Sequence, residues 1–216
     1  MSNYRNIINP EVVSYITSFY RPVNEELGRF RAEAEADRVP IILPDTETLI
    51  LNLLRIMKPQ RILEIGAAVG YSASCFAAVC DAEITTVEVK EETARIAEAN
   101  IDRLGFSDRI EVLCGDGEDI VNGLDRQYDF VFIDAAKSHY RRFFDAAVRH
   151  CSKGAVIVSD NVLFKARVVS DKYDETGKYK TNIRKMREFV EYIADIDYAD
   201  TALLPVGDGV AISILK

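Results

Sequence analysis

Two apolar runs of this sequence end in oxygen. "YDFVFIDAAK" passes through Val131, Phe132 and Ile133 into Asp134. "AVIVSDNVLFK" passes through Ala155 to Val158 and reaches Asp160 and Asn161. Two carboxylates and an amide oxygen are hard ligands, suited to Mg²⁺ or another divalent cation that leaves positions for water or substrate. Without a cation, two carboxylates at close range would repel. The same residues also have a local use. Asp160-Asn161 can form an Asx-turn, and Asp134 can cap a following helix. Lys137 stands three residues past Asp134. Beside a cation its ammonium form is disfavoured, which lowers its pKa and suits it to accept a proton. A solvated lysine is the plain alternative.

Three more strand ends carry chemistry. "EIGAAVGYS" follows an apolar run and opens a helix. Gly66 allows close backbone approach, Gly70 allows a tight turn, and Glu64 can face a ligand's ammonium group. The GxxxG spacing differs from the dinucleotide GxGxxG and disfavours NAD. Glu88 ends "TTVEVK", where an acid can accept from both ribose hydroxyls of a nucleoside cofactor. Asp116, followed by Gly117, ends "IEVLCGD" and can meet an adenine amino group or cap a helix. Three such acids at consecutive strand ends make accident a poor explanation.

The surrounding elements must bring these ends together. After Pro59, short apolar runs alternate with amphipathic segments. The strands are "RILEIG", "ITTVEV", "IEVLCGD", "YDFVFIDA" and "AVIVSDN". Helices are expected over 71–80, 91–104 and 139–150, with another around 183–193. This alternation predicts an α/β fold with a mostly parallel sheet covered on both faces. All strand C-ends then lie along one edge. "TALLPVGDGVAISILK" reads as a hairpin around Gly207-Asp208-Gly209, so the sheet should finish with an antiparallel strand. Residues 1–58 read as helices. Pro10 begins one with Val12, Tyr15, Ile16 and Phe19 at helical spacing. "NEELGRFRAEAEADR" is a second, polar one, and a third starts at Pro44-Asp45 with Leu49, Ile50, Leu53, Leu54 and Met57 on its apolar face.

A chain of 216 residues suits one domain with one sizeable core. No apolar run of about 18 residues is present, so no membrane span is expected. The start "MSNYRNIINPEVV", with Arg5 and Glu11, lacks a secretory signal's apolar run, and a cytoplasmic location is expected. Cys75, Cys80, Cys114 and Cys151 show neither CxxC nor zinc spacing, and buried reduced thiols are expected. The net charge of −8 argues against indiscriminate nucleic-acid binding. Charge is uneven, however: residues 162–187 carry +5 and the remainder −13.

"RILEIGAAVGYSA", "TVEV", "GDGED", "FIDAAK" and "SDN", in this order, resemble the cation-dependent, S-adenosylmethionine-dependent O-methyltransferases, which include catechol and caffeoyl-CoA enzymes. The resemblance covers nearly the whole chain. It implies a Rossmann-like class I methyltransferase fold with a seven-stranded sheet, in which residues 1–58 form a lid over a core of 59–216. It implies that Asp134, Asp160 and Asn161 hold Mg²⁺ and that Lys137 is the base. S-adenosylmethionine would be bound by Gly66, Tyr71 and Ser72 at its methionine end, by Glu88 at the ribose, by Asp116 and Gly117 at the adenine, and by Ile42 from the N-terminal helices. Asp134 would serve metal and cofactor together.

Within the family, "RVPI", "DNVLFK" and the ending "PVGDGVAIS" are most similar to bacterial tRNA 5-hydroxyuridine methyltransferases. That likeness implies the tRNA anticodon loop as partner; a small catechol or phenol is the alternative acceptor, and a non-catalytic nucleotide-binding module is the reading from another class. It also implies a homodimer. If RNA is the substrate, Lys165 and Arg167, just past Asn161, and Arg141 and Arg142, just past Lys137, are placed to meet phosphates. Phe164 and Tyr140 are the candidates to stack on an extruded base.

Overall fold

Seven strands form one sheet in the order β3-β2-β1-β4-β5-β7-β6. In this computed structural model they are β1 (Arg61–Ile65), β2 (Glu83–Glu88), β3 (Ile110–Cys114), β4 (Tyr128–Ile133), β5 (Cys151–Ser159), β6 (Ala199–Leu204) and β7 (Val210–Leu215). The structure describes residues 9–216, and Arg5 lies outside the described residues. β1 to β5 are mutually parallel, while β7 runs antiparallel to both β5 and β6. This is the mostly parallel α/β arrangement expected from the alternation of runs, and the Rossmann-like fold that the resemblance implied.

The chain winds outward from β1 in both directions, so strand order reverses between β1 and β4. That is where open α/β sheets bind ligands. Register makes the site: Ile65 pairs with Ile133 and with Val87, and Ile133 pairs with Ser159. The residues just beyond these pairs are Gly66, Glu88, Asp134 and Asp160. They therefore share one edge.

Helices cover both faces. One core cluster unites Ile62, Phe130 and Phe132 with residues of α2 (Glu25–Ala36), α3 (Pro44–Met57), α4 (Tyr71–Val79) and α5 (Glu91–Arg103). The other packs Leu63, Val131 and Ile157 against α6 (Gly117–Asn122), α7 (Tyr140–Val148) and α8 (Lys180–Asp195). Leu27, Phe30, Ile50 and Leu54 are buried in the first cluster, so α2 and α3 share the sheet's core.

The apolar spacing near Pro10 does give a helix, α1 (Pro10–Thr17), but buries none of its residues. Val12, Tyr15, Ile16 and Phe19 are all exposed. Cys114 departs from the expected burial: it ends β3, the edge strand, and is exposed. Cys75 is buried and all four cysteines are free thiols. Among the described residues no helix is long and apolar enough to cross a membrane.

Candidate active site

A cavity of about 670 Å³ opens at the switch point. Its floor is Ile65, Gly66 and Ala67; Glu88, Asp116, Gly117, Asp134, Asp160 and Asn161 stand around it. Pro40 to Leu43, between α2 and α3, close one side, and Ile42 is buried there. The expected residues of five strand ends and of the N-terminal helices are thus brought to one space.

Gly66 is a matter of contact. Its φ is +111°, and a Cβ there would lie 2.0 Å from the Asp134 carbonyl oxygen. Only glycine lets β1 and β4 end this close together. Glu88 is fixed by the backbone, accepting from the N–H groups of Ala68 at 3.1 Å and Lys90 at 3.0 Å. Asp116 caps α6 through its Oδ1, which accepts from Glu118 N. It lines the cavity as well, so the capping and ligand readings coexist. This short helix has no periodicity to betray it; the acid followed by glycine was its only signal.

Asp134 does not cap the next helix. His139 occupies the N-cap position of α7. Asp160 is completely buried, and its Oδ1 accepts from Asn161 N at 2.6 Å, an Asx-like local bond. Its Oδ2 is buried with no hydrogen-bond partner. Burial, then the nearby Asp134 carboxylate, push the Asp160 carboxyl well above its usual range. Among the described residues no three His, Cys, Asp or Glu side chains form a metal cluster, so the oxygen set is two carboxylates and the Asn161 amide. An orphaned buried carboxylate oxygen facing a second carboxylate fits a hard divalent cation.

Lys137 Nζ donates to Asn161 Oδ1 at 2.7 Å and to Tyr140 Oη at 3.1 Å, and lies 3.5 Å from Asp134 Oδ1. The expected lowering of its pKa is not what these contacts produce. Burial works against the ammonium, but Tyr140 and the Asp134 and Asp160 carboxylates outweigh it, and the net direction is upward. Tyr140 itself is buried and donates to the Asp160 carbonyl at 2.8 Å. It holds the Asp160 backbone and, being buried, is closed to a stacking base, which corrects that expectation.

Glu64 is one layer deeper than a ligand contact requires. It is fully buried and accepts from Ser72 Oγ and Thr86 Oγ1, both at 2.5 Å, while Ser72 forms the cavity wall in front of it. Burial raises its carboxyl to about 7. A raised carboxyl pKa means that the folded state holds a proton the unfolded chain releases. The stability it contributes is present at low pH and lost as pH climbs from 4.5 to about 7. Glu64→Gln should therefore flatten the fall in urea-unfolding free energy between pH 5 and pH 8 by about 3 kcal/mol. An unchanged pH slope would show that the buried acid is not the cause.

Tyr71 lines the cavity with its ring, but its hydroxyl turns toward the N-terminal helices. It donates to Glu47 Oε2 at 3.0 Å and accepts from Arg31 Nε at 3.1 Å. Arg31 also bonds Glu47 Oε2 at 2.6 Å and the Ile42 carbonyl at 2.7 Å. Among the RNA candidates, Lys165 is exposed and lines the cavity. The Arg167 guanidinium lies over the Phe164 and Tyr179 rings. Arg141 pairs with Asp145, and Arg142 with Glu118, and both side chains stay more than half exposed.

The O-methyltransferase family model matches residues 16–216. The chain belongs to the O-methyltransferase family. It is 27% identical to a caffeoyl-CoA O-methyltransferase of Stellaria longipes, over 90% of this chain and 85% of that one. It is 29% identical to a catechol O-methyltransferase of Niastella koreensis, over 85% and 86%. Among solved structures, the O-methyltransferase from Bacillus cereus in complex with SAH superposes with a TM-score of 0.82 at 28% identity, covering 95% of this chain and 97% of that one. This O-methyltransferase is S-adenosylmethionine-dependent.

Sequence reading missed two features of the O-methyltransferase site. Arg31 and Glu47 sit in segments that read as surface-rich helix, yet both are buried behind Tyr71. Asp208 read only as a hairpin turn, yet it lines the cavity. Burial raises its carboxyl to about 6.

Proposed function

We propose that this protein is a divalent-cation-dependent O-methyltransferase whose acceptor presents a hydroxyl beside a second oxygen. The observation that carries the reading is the buried, unpartnered Asp160 Oδ2 beside Asp134 and Asn161. Asp134, Asp160 and Asn161 would hold the cation. When bound, it would supply charge stabilisation to the acceptor oxygen and lower the pKa of the hydroxyl. Lys137 Nζ stands in the same oxygen cluster and takes the hydroxyl proton. Glu88 and Asp116 present carboxylate oxygens to the ribose and adenine ends, and Ile42 and Tyr71 form apolar walls that exclude water. Orientation by such walls contributes a large share of the acceleration, on the order of 7–11 kcal/mol in well-aligned systems. Pro40 to Leu43 serve as part of a lid.

The finer reading is that the acceptor is the 5-hydroxyl of 5-hydroxyuridine at the tRNA wobble position, giving 5-methoxyuridine. There the 5-hydroxyl and the neighbouring 4-carbonyl present the paired oxygens. Exposed Lys165 at the cavity mouth supports it, together with the +5 charge of residues 162–187. Lys165→Ala should then raise the KM for tRNA and reduce the slope of log affinity against log salt by about 0.7, the value for one single-strand phosphate contact. Turnover of free catechol should barely move. Equal losses on both acceptors would remove Lys165 from RNA binding. A free catechol or phenol is the second reading, favoured by the likeness to catechol and caffeoyl-CoA O-methyltransferases. The deciding assay offers the purified enzyme, with Mg²⁺ and S-adenosylmethionine, a tRNA bearing 5-hydroxyuridine and a simple catechol. Methylation of the catechol alone would overturn the tRNA reading.

A further inference from the structure

The loop that carries Asn161 has an uncommon backbone. Asn161 is left-handed at φ +56°, and Phe164, Lys165 and Ala166 follow at +47°, +56° and +64°. Non-glycine residues rarely adopt this region, and a run of three persists only where the surroundings over-determine it. Within the loop, Phe164 N donates to the Asn161 carbonyl, Arg167 N to Phe164 and Val168 N to Leu163, which leaves the N–H groups of Val162, Leu163 and Lys165 for partners elsewhere. Those partners come from far along the chain, from the tight turn between β6 and β7.

That turn grips the loop at three points. Val162 N donates to the Gly209 carbonyl at 2.9 Å and Leu163 N to the Asp208 carbonyl at 3.0 Å. Lys165 N donates to Asp208 Oδ1 in a very short bond. The side-chain bond falls on the middle of the left-handed run. Asp208 is nine-tenths buried and borders the same cavity as Asn161 and Lys165. Contact at the turn is close enough to require glycine: at Gly209, φ +87°, a Cβ would lie 2.4 Å from Leu163 Cγ. On its other side the turn is braced by α3, since Gly207 N donates to Asp45 Oδ2 at 2.9 Å and a Cβ at Gly207 would meet Thr46 Oγ1 at 2.2 Å.

We propose that Asp208 is a positioning residue that holds the 162–165 loop, and through it the Asn161 amide oxygen, in the geometry needed to bind a divalent cation. This rests on the reading of Asp134, Asp160 and Asn161 as the cation's ligands. Asp208 acts through a hydrogen bond from the Lys165 backbone, so what it must keep is an acceptor oxygen, not a charge. Oriented outer groups of this kind typically change metal affinity by about 10- to 100-fold when removed. The same bond sets the start of the Lys165 side chain at the cavity mouth.

The test measures Mn²⁺ binding to the full chain by electron paramagnetic resonance, S-adenosylmethionine binding by calorimetry, and amide exchange of residues 161–166. Asp208→Ala should weaken Mn²⁺ by about 10-fold or more and speed exchange at Lys165, while cofactor affinity without metal holds. Asp208→Asn keeps the acceptor oxygen and should retain near-wild-type Mn²⁺ affinity. A merely structural residue would not give this split between metal and cofactor, nor rescue by the amide. Wild-type Mn²⁺ affinity in Asp208→Ala overturns the proposal and leaves the ligand assignment standing. A loss in Asp208→Asn as large as in Asp208→Ala overturns it too, because charge would then be the cause. Should Asp208→Ala fail to fold, Asp208→Ser, whose hydroxyl ends one bond short of the carboxylate oxygen that meets Lys165 N, takes its place in the same comparison with Asp208→Asn. Absence of Mn²⁺ binding by the wild type, or full binding by Asp160→Ala, refutes the ligand assignment itself and takes the proposal with it.

Discussion

Asp160→Asn should abolish methyl transfer and yet leave a protein at least as stable as the wild type in chelator. The two halves have one cause. Asp160 is fully buried beside Asp134, and one of its carboxylate oxygens has no partner. Burying that charge costs stability unless a cation compensates it. The amide removes the cost and, with it, the site for the cation. Loss of the several kcal/mol of charge stabilisation that a metal supplies lowers kcat by about 10³-fold or more. Adding Mg²⁺ should raise the wild-type melting temperature, by the equivalent of about 2.7 kcal/mol at one hundred times Kd, and should leave Asp160→Asn unmoved. Asp134→Ala should lose activity and weaken S-adenosylmethionine as well, because Asp134 stands in the cavity wall between Gly66 and Lys137. Full activity of the wild-type enzyme after exhaustive chelation would end the metal reading.

Lys137→Ala should slow methyl transfer by about 10²- to 10⁴-fold, the usual cost of losing a general base. S-adenosylmethionine affinity should change far less, since Lys137 bonds Asn161 and Tyr140 at the acceptor side of the site. The pH profile carries the sharper test. In its bonded arrangement Lys137 is firmly an ammonium, and an ammonium accepts no proton. A cation held by the same carboxylates opposes that charge and moves the pKa down. The wild-type kcat should therefore rise with pH as the amine forms, and the rise should begin at lower pH as Mg²⁺ saturates. Lys137→Ala should lose this rise. A variant with near-wild-type kcat across the pH range would take Lys137 out of the chemistry.

Much of the sheet was legible because each strand is a short apolar run and each crossover an amphipathic one. Both periods are local, and neighbours in sequence report them. Strand ends followed directly: once the first five strands are parallel, Gly66, Glu88, Asp116, Asp134 and Asp160 must share an edge. The errors share a different origin. Tyr140 looked available for stacking because it follows Lys137 by three residues, but α7 turns its ring inward against Phe189. Sequence likewise does not show that Asp145 and Glu118 lie beside Arg141 and Arg142, which stay exposed. The apolar spacing at Val12, Tyr15, Ile16 and Phe19 encoded a helix correctly, but not which surface, if any, would cover it.

The sequence by itself determined the order of elements, the acids at the strand ends and the motifs that resemble O-methyltransferases, because these depend on side-chain type and on spacings within a few residues. Only the tertiary structure decided how the acids are held. Gly66 must meet the Asp134 carbonyl, Arg31 must reach Tyr71 and Ile42, and the turn at Asp208 must grip Val162, Leu163 and Lys165 while its Gly207 rests on Asp45, 162 positions earlier in the chain. Such contacts are made by packing whole layers together, and no local period in the sequence announces them.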